Sequence, residues 1–570
     1  MCVLKVTAYY NMTFSRKNIT LSNFVEKGVP LGGACRKIAE KSTWNSDMIK
    51  NIFTKGRNTA MQKLRYAKIN TCFLSGIHAD FTELEVSISP GLPAFDIVGL
   101  ADSTIKESRE RVRNAIRNSG FEFPRGRITV SLIPAYIHKS GTSVDLPLAV
   151  GILEASGQLK KIGKSVFLYG ELSLDGTITP VPGGMLRLLS AKENMRIVIP
   201  KEQIREAGML GMQAFGAETL KDAVSFLNGN KNIDMQESFL PAFAETNDEP
   251  DFSCLKGQEK AKRAISIAAC GFHNILFTGS PGCGKTTAAH ILHGILPPLS
   301  STEKRDFLSI KGIAEPLTAE DFAAQERPFR YVSRLTTVSA LFGGGREFLP
   351  GEVSMSRHGV LFLDEMAEFP TKVLQLLHQP LEEKKIDFIR YGETISIPAD
   401  FLLVGAMNPC RCGNMMEEHH TCICSPVQRK QYQNRISGAV YDRIDLFCEM
   451  RRIDPEILRL CFSRETKKES PALRKQVKAC WDYQLFRCKR LQLPEKRNGE
   501  TENIPVKEAF CIPEPVISCA IEASEKLGLS VRGYFLLLRV ARTIADMEEQ
   551  ETLEKQHVLE ALSFRRKIGG

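Results

Sequence analysis

The sequence predicts an α/β protein, and three stretches carry the prediction. Over residues 63–230, short β-rich runs alternate with amphipathic helical stretches. NILFTGSPGCGKTTAAHILHGIL (274–296) is an apolar strand, a glycine loop and a helix, in that order. VLFLDE (360–365) is a second apolar strand, and it ends in two carboxylates.

At 570 residues the chain exceeds what one hydrophobic core supports, so several domains are expected. With 76 basic and 66 acidic residues the net charge is +10, which permits a polyanionic partner without requiring one. No run of about 18 apolar residues is present and no leader-like pattern opens the chain, so a cytoplasmic protein without membrane spans is expected. Most of the 16 cysteines are scattered through apolar runs (Cys270, Cys448, Cys519), as reduced core thiols are.

In chain order, residues 1–62 are polar and basic without periodicity, and read as an extension; Met61 is an alternative start. Residues 63–230 form an α/β domain with expected strands at 84–88, 94–98, 127–133, 166–174 and 196–200. A helix over 103–120 is expected, with Ser103 as its cap and Gly120 at its close. An acidic linker (231–250) leads to the nucleotide-binding α/β core, 251–460. A basic helical segment (461–504) and a C-terminal helical lid (505–570) follow.

The stretch Gly279-Ser280-Pro281-Gly282-Cys283-Gly284-Lys285-Thr286 matches G-x-x-x-x-G-K-[ST] between a strand and a helix. Its glycines let backbone N–H groups converge on phosphates, Lys285 reaches the outer phosphates, and Thr286, followed by Thr287, holds Mg²⁺. Asp364 completes the Mg²⁺ site, and Glu365 polarises the attacking water. The strand 401–407 delivers Asn408 to orient that water. Arg443 is placed to enter a neighbouring subunit's site, and Arg532 starts a helix able to fold over the nucleotide, or either one simply forms a surface salt bridge. ATP and Mg²⁺ are the cofactors expected.

These motifs resemble the magnesium-chelatase-like AAA+ ATPases often called YifB or ComM, over about residues 61–570. The resemblance rests on SPGLPAFDIVGL, FLYGELSLDGTITPV, GSPGCGKT, PGEVSMSRHGVLFLDEMAEFP, AMNPCRCG, SGAVYDRIDL and VARTIAD. It implies a ring, hexameric in such proteins, that drives branch migration of DNA. One departure stands out: the family's R-P-F-R-x-P-H-H is here Arg327-Pro328-Phe329-Arg330-Tyr331-Val332-Ser333-Arg334, without the histidine pair.

Cys410, Cys412, Cys422 and Cys424 flank a loop containing His419 and His420. They suit either a tetrahedral Zn²⁺ site or free thiols, C-x-C being a less usual spacing than C-x-x-C. For DNA, the stretch 381–401 offers a hairpin with Lys384, Lys385 and Arg390, or simply a solvated charged hairpin. The segment with Arg474, Lys475, Lys478, Arg487, Lys489 and Arg490 interleaved with Trp481, Tyr483 and Phe486 is a second candidate, or an amphipathic helix that buries its aromatics.

The 63–230 domain also resembles the proteolytic domain of Lon-type proteases, a ribosomal S5 domain 2-like fold, whose nucleophilic serine aligns with Ser143. Their activating lysine aligns with Met185, or Leu186 after a one-residue slip, and Lys192 lies two helical turns on. Without a base the hydroxyl stays protonated, so a retained fold with an inactive site is expected. The competing functional readings are an ATP-dependent chaperone or protease and a metal-chelatase motor subunit.

Overall fold

The computed structural model describes residues 65–99, 102–134, 139, 141–163, 165–230, 249–345, 349–390, 393–417, 421–452, 468–501 and 506–565. The expected extension 1–62, most of the linker, His419 and His420 lie outside them. The architecture is mixed α/β with two main sheets, of seven and five strands.

In the seven-stranded sheet the order is Ala94–Val98, Arg127–Ile133, His78–Ser89, Arg65–Ser75, Val166–Leu168, Arg196–Pro200, Ala214–Ala217. Three expected strands, 94–98, 127–133 and 196–200, match residue for residue. The expected run 166–174 is instead two short strands, Val166–Leu168 and Glu171–Leu172. Between them the chain leaves the large sheet at Gly170, where a Cβ would stand 2.9 Å from the Ile178 side chain. The first helix spans Ser103–Asn118, but its cap is Asp102, whose carboxylate accepts from the Ile105 N–H. Ile105, Val112, Ala115 and Ile116 form its buried face. The helix Asp145–Ser156 is buried on almost every side, and its one buried charge, Asp145, is bonded to Arg111 at 2.7 Å.

The five-stranded sheet is parallel throughout, in the order Phe329–Val332, Val360–Leu363, Leu402–Met407, Ile275–Gly279, Leu446–Met450. Helices cover both faces of such a sheet, so its strands read as continuous apolar runs. All four residues of Val360–Leu363 are fully buried, each worth roughly 1.5–3 kcal/mol of transfer free energy. The parallel register aligns the strand ends: Thr278 pairs with Met407, and Leu363 with Gly405.

The C-terminal helices Ser470–Arg490 and Val531–Met547 pack on Glu259–Gly271 and share one core with the five-stranded sheet. Here the helix meets its second expectation in part: it buries Trp481, while Lys475, Lys478, Lys489 and Arg490 stay exposed. Trp481 is buried and donates to the Ala269 carbonyl at 2.9 Å, Arg487 is locked on Asp546, and Arg474 donates to Gly294 O at 2.6 Å. These residues carry the helix's attachment to the core, and Phe486 alone of its expected aromatics is largely exposed. Cys519 is only half-buried, whereas Cys270 and Cys448 are core thiols as expected.

The two sheet regions touch through the short helix Gly184–Leu189. The Gly183 N–H donates to Gly312 O at 2.5 Å, and Met185 is buried against Leu308 and Phe322 of the nucleotide-domain side. No helix among the described residues is long and apolar enough to cross a membrane.

Candidate functional site

The site grows from three strand ends. After Ile275–Gly279 the chain turns through Ser280–Gly284 into the helix Lys285–Ile295. Gly282 and Gly284 hold φ of 80° and 93°, a region closed to most side chains. At Gly279 a Cβ would stand 2.3 Å from the Met450 carbonyl of the adjacent strand. The loop therefore needs glycine for two reasons, left-handed backbone and close strand approach.

Lys285 Nζ points back into this loop, bonded to the carbonyls of Gly279 (2.7 Å) and Ser280 (3.0 Å) and to Asn408 Oδ1 (3.2 Å). Burial pushes the ammonium's pKa down. All three acceptors are neutral, and among the described residues no carboxylate forms an ion pair with it. A cation held by neutral oxygens beside a glycine loop is what a phosphate requires.

Asp364 and Glu365 follow the buried strand Val360–Leu363. Asp364 Oδ2 accepts from Thr286 Oγ1 at 3.4 Å, so the two residues expected to hold Mg²⁺ face one another across adjoining elements. Glu365 adopts a left-handed conformation (φ 51°), which turns its carboxylate outward. There Arg334 Nη1 lies 3.6 Å from Glu365 Oε2. The position where the family pattern has its second histidine thus carries a cation in contact with the carboxylate expected to activate water.

The two expected arginines lie elsewhere. The Arg443 carbonyl accepts from Asn274 Nδ2 at 3.0 Å, at the start of the strand whose far end is the phosphate loop. Five residues of strand, about 16 Å, separate the two. Arg443 Nη2 is bonded to Glu382, and Arg532 Nη1 takes the other oxygen of the same carboxylate at 2.9 Å. Burial would raise the Glu382 pKa, but the two guanidiniums hold its carboxyl below the usual range. Arg532, expected to begin a helix able to fold over the nucleotide, is gathered with Arg443 on Glu382. Sequence reading missed Glu382 because a glutamate in PLEEKK carries no local signal.

Beside the phosphate loop lie the four cysteines, and among the described residues theirs is the cluster with metal-ligand geometry: the four sulfurs lie within 4.8 Å of one another. The hairpin Lys385–Arg390 with Glu393–Pro398 forms as expected. Lys385, however, is paired with Asp387 at 2.8 Å and Glu383 at 3.6 Å, so its charge is compensated within the chain. Ile389 is 84% exposed near its end.

Ser143 is 1% exposed, and its hydroxyl accepts from Arg187 Nη1 at 2.9 Å. Arg187 also donates to the carbonyls of Cys72 (3.1 Å) and Pro182 (2.9 Å). The expected partners are elsewhere: Met185 is buried in the inter-domain contact, and Lys192 Nζ lies over the Phe81 ring at 4.3 Å. A slip of two residues, not one, reaches Arg187. Its guanidinium never deprotonates in proteins and cannot take the serine's proton.

Family profiles described as magnesium chelatase, subunit ChlI, match residues 251–458 and 84–203, and a ChlI C-terminal profile matches 467–565. A YifB protein of Salmonella typhimurium is 37% identical over 503 residues, 88% of this chain and 97% of that protein. The competence protein ComM of Haemophilus influenzae is 37% identical over 502 residues, 86% and 96% of the two chains. The magnesium-chelatase 38 kDa subunit of Cereibacter sphaeroides is 30% identical over 174 residues, 28% of this chain and 52% of that one.

Proposed function

The chain belongs to the YifB/ComM family of magnesium-chelatase-like AAA+ ATPases, and from that premise we propose that it is an ATP-hydrolysing, ring-forming motor that acts on DNA in the cytoplasm. The observation that carries the motor reading is the division of the catalytic set. Lys285, Thr286, Asp364, Glu365 and Asn408 converge at one end of the five-stranded sheet, while Arg443 and Arg532 share Glu382 beside its other end. One copy supplies the phosphate site and the next supplies the arginines, so hydrolysis needs a closed ring, for which a hexamer is the natural form.

Within one copy, the loop amides and Lys285 bind the phosphates, and Thr286 with Asp364 would hold Mg²⁺, which would supply charge neutralisation. Glu365 takes the proton of the attacking water and Asn408 orients it.

We read the 63–230 domain as Lon-like and proteolytically inert, supported by the permanent donor on Ser143, and the C-terminal helices as the lid. DNA as substrate is supported by the similarity to a competence protein. The test is ATP hydrolysis by the full chain with and without DNA, and branch migration of a four-way junction, with Lys285→Ala as control. Several-fold stimulation by DNA and junction migration are expected. Stimulation by unfolded protein in place of DNA overturns the DNA reading and favours a chaperone.

A further inference from the structure

We propose that Cys410, Cys412, Cys422 and Cys424 hold one tetrahedral Zn²⁺, and that this ion clamps the phosphate loop through Gly413, so that metal occupancy sets the affinity for nucleotide. The coupling rests on the reading of 279–286 as a nucleotide site; the metal site does not.

The sulfur geometry specifies a single ion. Cys410 lies 3.4 Å from Cys412 and 3.6 Å from Cys422, with 3.5 Å between Cys412 and Cys422. A regular tetrahedron with Zn–S bonds of 2.3 Å has edges of about 3.8 Å. The sulfurs are too far apart for disulfides and too close together to surround a multi-iron cluster. The Gly413 N–H donates to the Cys410 carbonyl at 3.0 Å, closing the turn that carries the first cysteine pair.

The clamp follows from where the ligands lie along the chain. Asn408, two residues before the first ligand, is bonded to Lys285. Gly413, one residue after the second, accepts from the fully buried Ser280 hydroxyl at 2.9 Å. At Gly413 (φ 81°) a Cβ would stand 2.5 Å from Pro281 Cδ. The segment 408–413 therefore braces the phosphate loop at Lys285 and at Ser280-Pro281, and the ion ties that brace to Cys422 and Cys424. From there the helix Pro426–Gln433 begins, with Arg429 donating to the Cys424 carbonyl at 3.1 Å and Gln433 to Pro409 O at 3.3 Å. Among the described residues no disulfide links the two cysteine pairs, so without the ion the brace loosens.

The full chain, purified without chelator, is assayed for metal by mass spectrometry. One zinc per chain is expected, falling below one tenth in the Cys412→Ser, Cys422→Ser double variant. Binding of a fluorescent ATP analogue is then measured on loaded protein, on protein stripped by chelator with its fold checked by circular dichroism, and after zinc is restored. At least tenfold weaker binding on stripping, reversed by zinc, is expected. Gly413→Ala should keep its zinc yet bind nucleotide about as weakly as stripped protein, which separates the clamp from general unfolding. Absence of stoichiometric metal overturns the site. Zinc present with affinity unchanged on stripping, or with Gly413→Ala binding normally, overturns the clamp. Loaded protein that binds no nucleotide overturns the clamp together with the nucleotide reading, while the metal count stands.

Discussion

At Glu365 the left-handed backbone and the Arg334 contact define one residue's task. Replacing the carboxylate by an amide keeps its shape and removes its basicity. Glu365→Gln is therefore expected to lower kcat by ~10²–10⁴-fold while leaving nucleotide affinity within a factor of two, whereas Lys285→Ala loses the affinity itself. Single-turnover hydrolysis alongside equilibrium binding separates the two; a glutamine variant that turns over at the wild-type rate rules out Glu365 as the base. Ser143 teaches the opposite lesson at the same scale. Its sequence context matches a nucleophile, and the side chain that decides its chemistry, Arg187, is 44 residues away.

At the scale of elements, the short helix Gly184–Leu189 is a joint, because Met185 faces Leu308 and Phe322 while Arg187 faces Ser143. Next to it Glu206, on Ile204–Met209, is buried, with one carboxylate oxygen bonded to Gln203 at 2.8 Å and the other unpartnered. Burial pushes its carboxyl up to about 7. A raised carboxyl keeps its proton in the folded state, so its contribution is complete below the unfolded value near 4.5 and is lost as pH rises through 7. The loss amounts to ~3 kcal/mol at most. Glu206→Gln should therefore match the wild type in thermal unfolding at pH 5 and melt several degrees higher at pH 8; equal melting at both pH values contradicts the raised carboxyl. Elements were the most legible level of the sequence. The strands 94–98, 127–133 and 196–200 have strong β-branched runs between turns, and their burial needs only local pattern. The run 166–174 misled because alternation continues through Tyr169-Gly170 while the chain changes sheets, which only the crowding around Gly170 dictates.

At the scale of the whole molecule, Glu382 gathers Arg443 and Arg532, and the proposed ring sets them against a neighbour's glycine loop. Mixing Lys285→Ala with Arg443→Ala, each inactive alone, should restore activity, since some interfaces then pair an intact loop with intact arginines. In a randomly mixed head-to-tail ring about a quarter of interfaces qualify at equal proportions. No recovery in mixtures shown by native mass spectrometry to contain both variants would place the arginines in cis.

By itself the sequence determined the family, and it placed the glycine loop, the acidic strand end and Asn408 as candidates, because glycine spacing, apolar strand runs and terminal polar residues are local and ordered along the chain. It also determined the four-cysteine cluster as a candidate, since ligand types and short spacings are visible in one stretch. Only the tertiary structure decided what those residues face. Arg187 on Ser143, Arg334 on Glu365, Arg443 and Arg532 on Glu382, and Gly413 on Ser280 are contacts between segments 31 to 150 residues apart. Such contacts are set by strand order and helix packing, and no period or motif in the chain encodes which charge meets which.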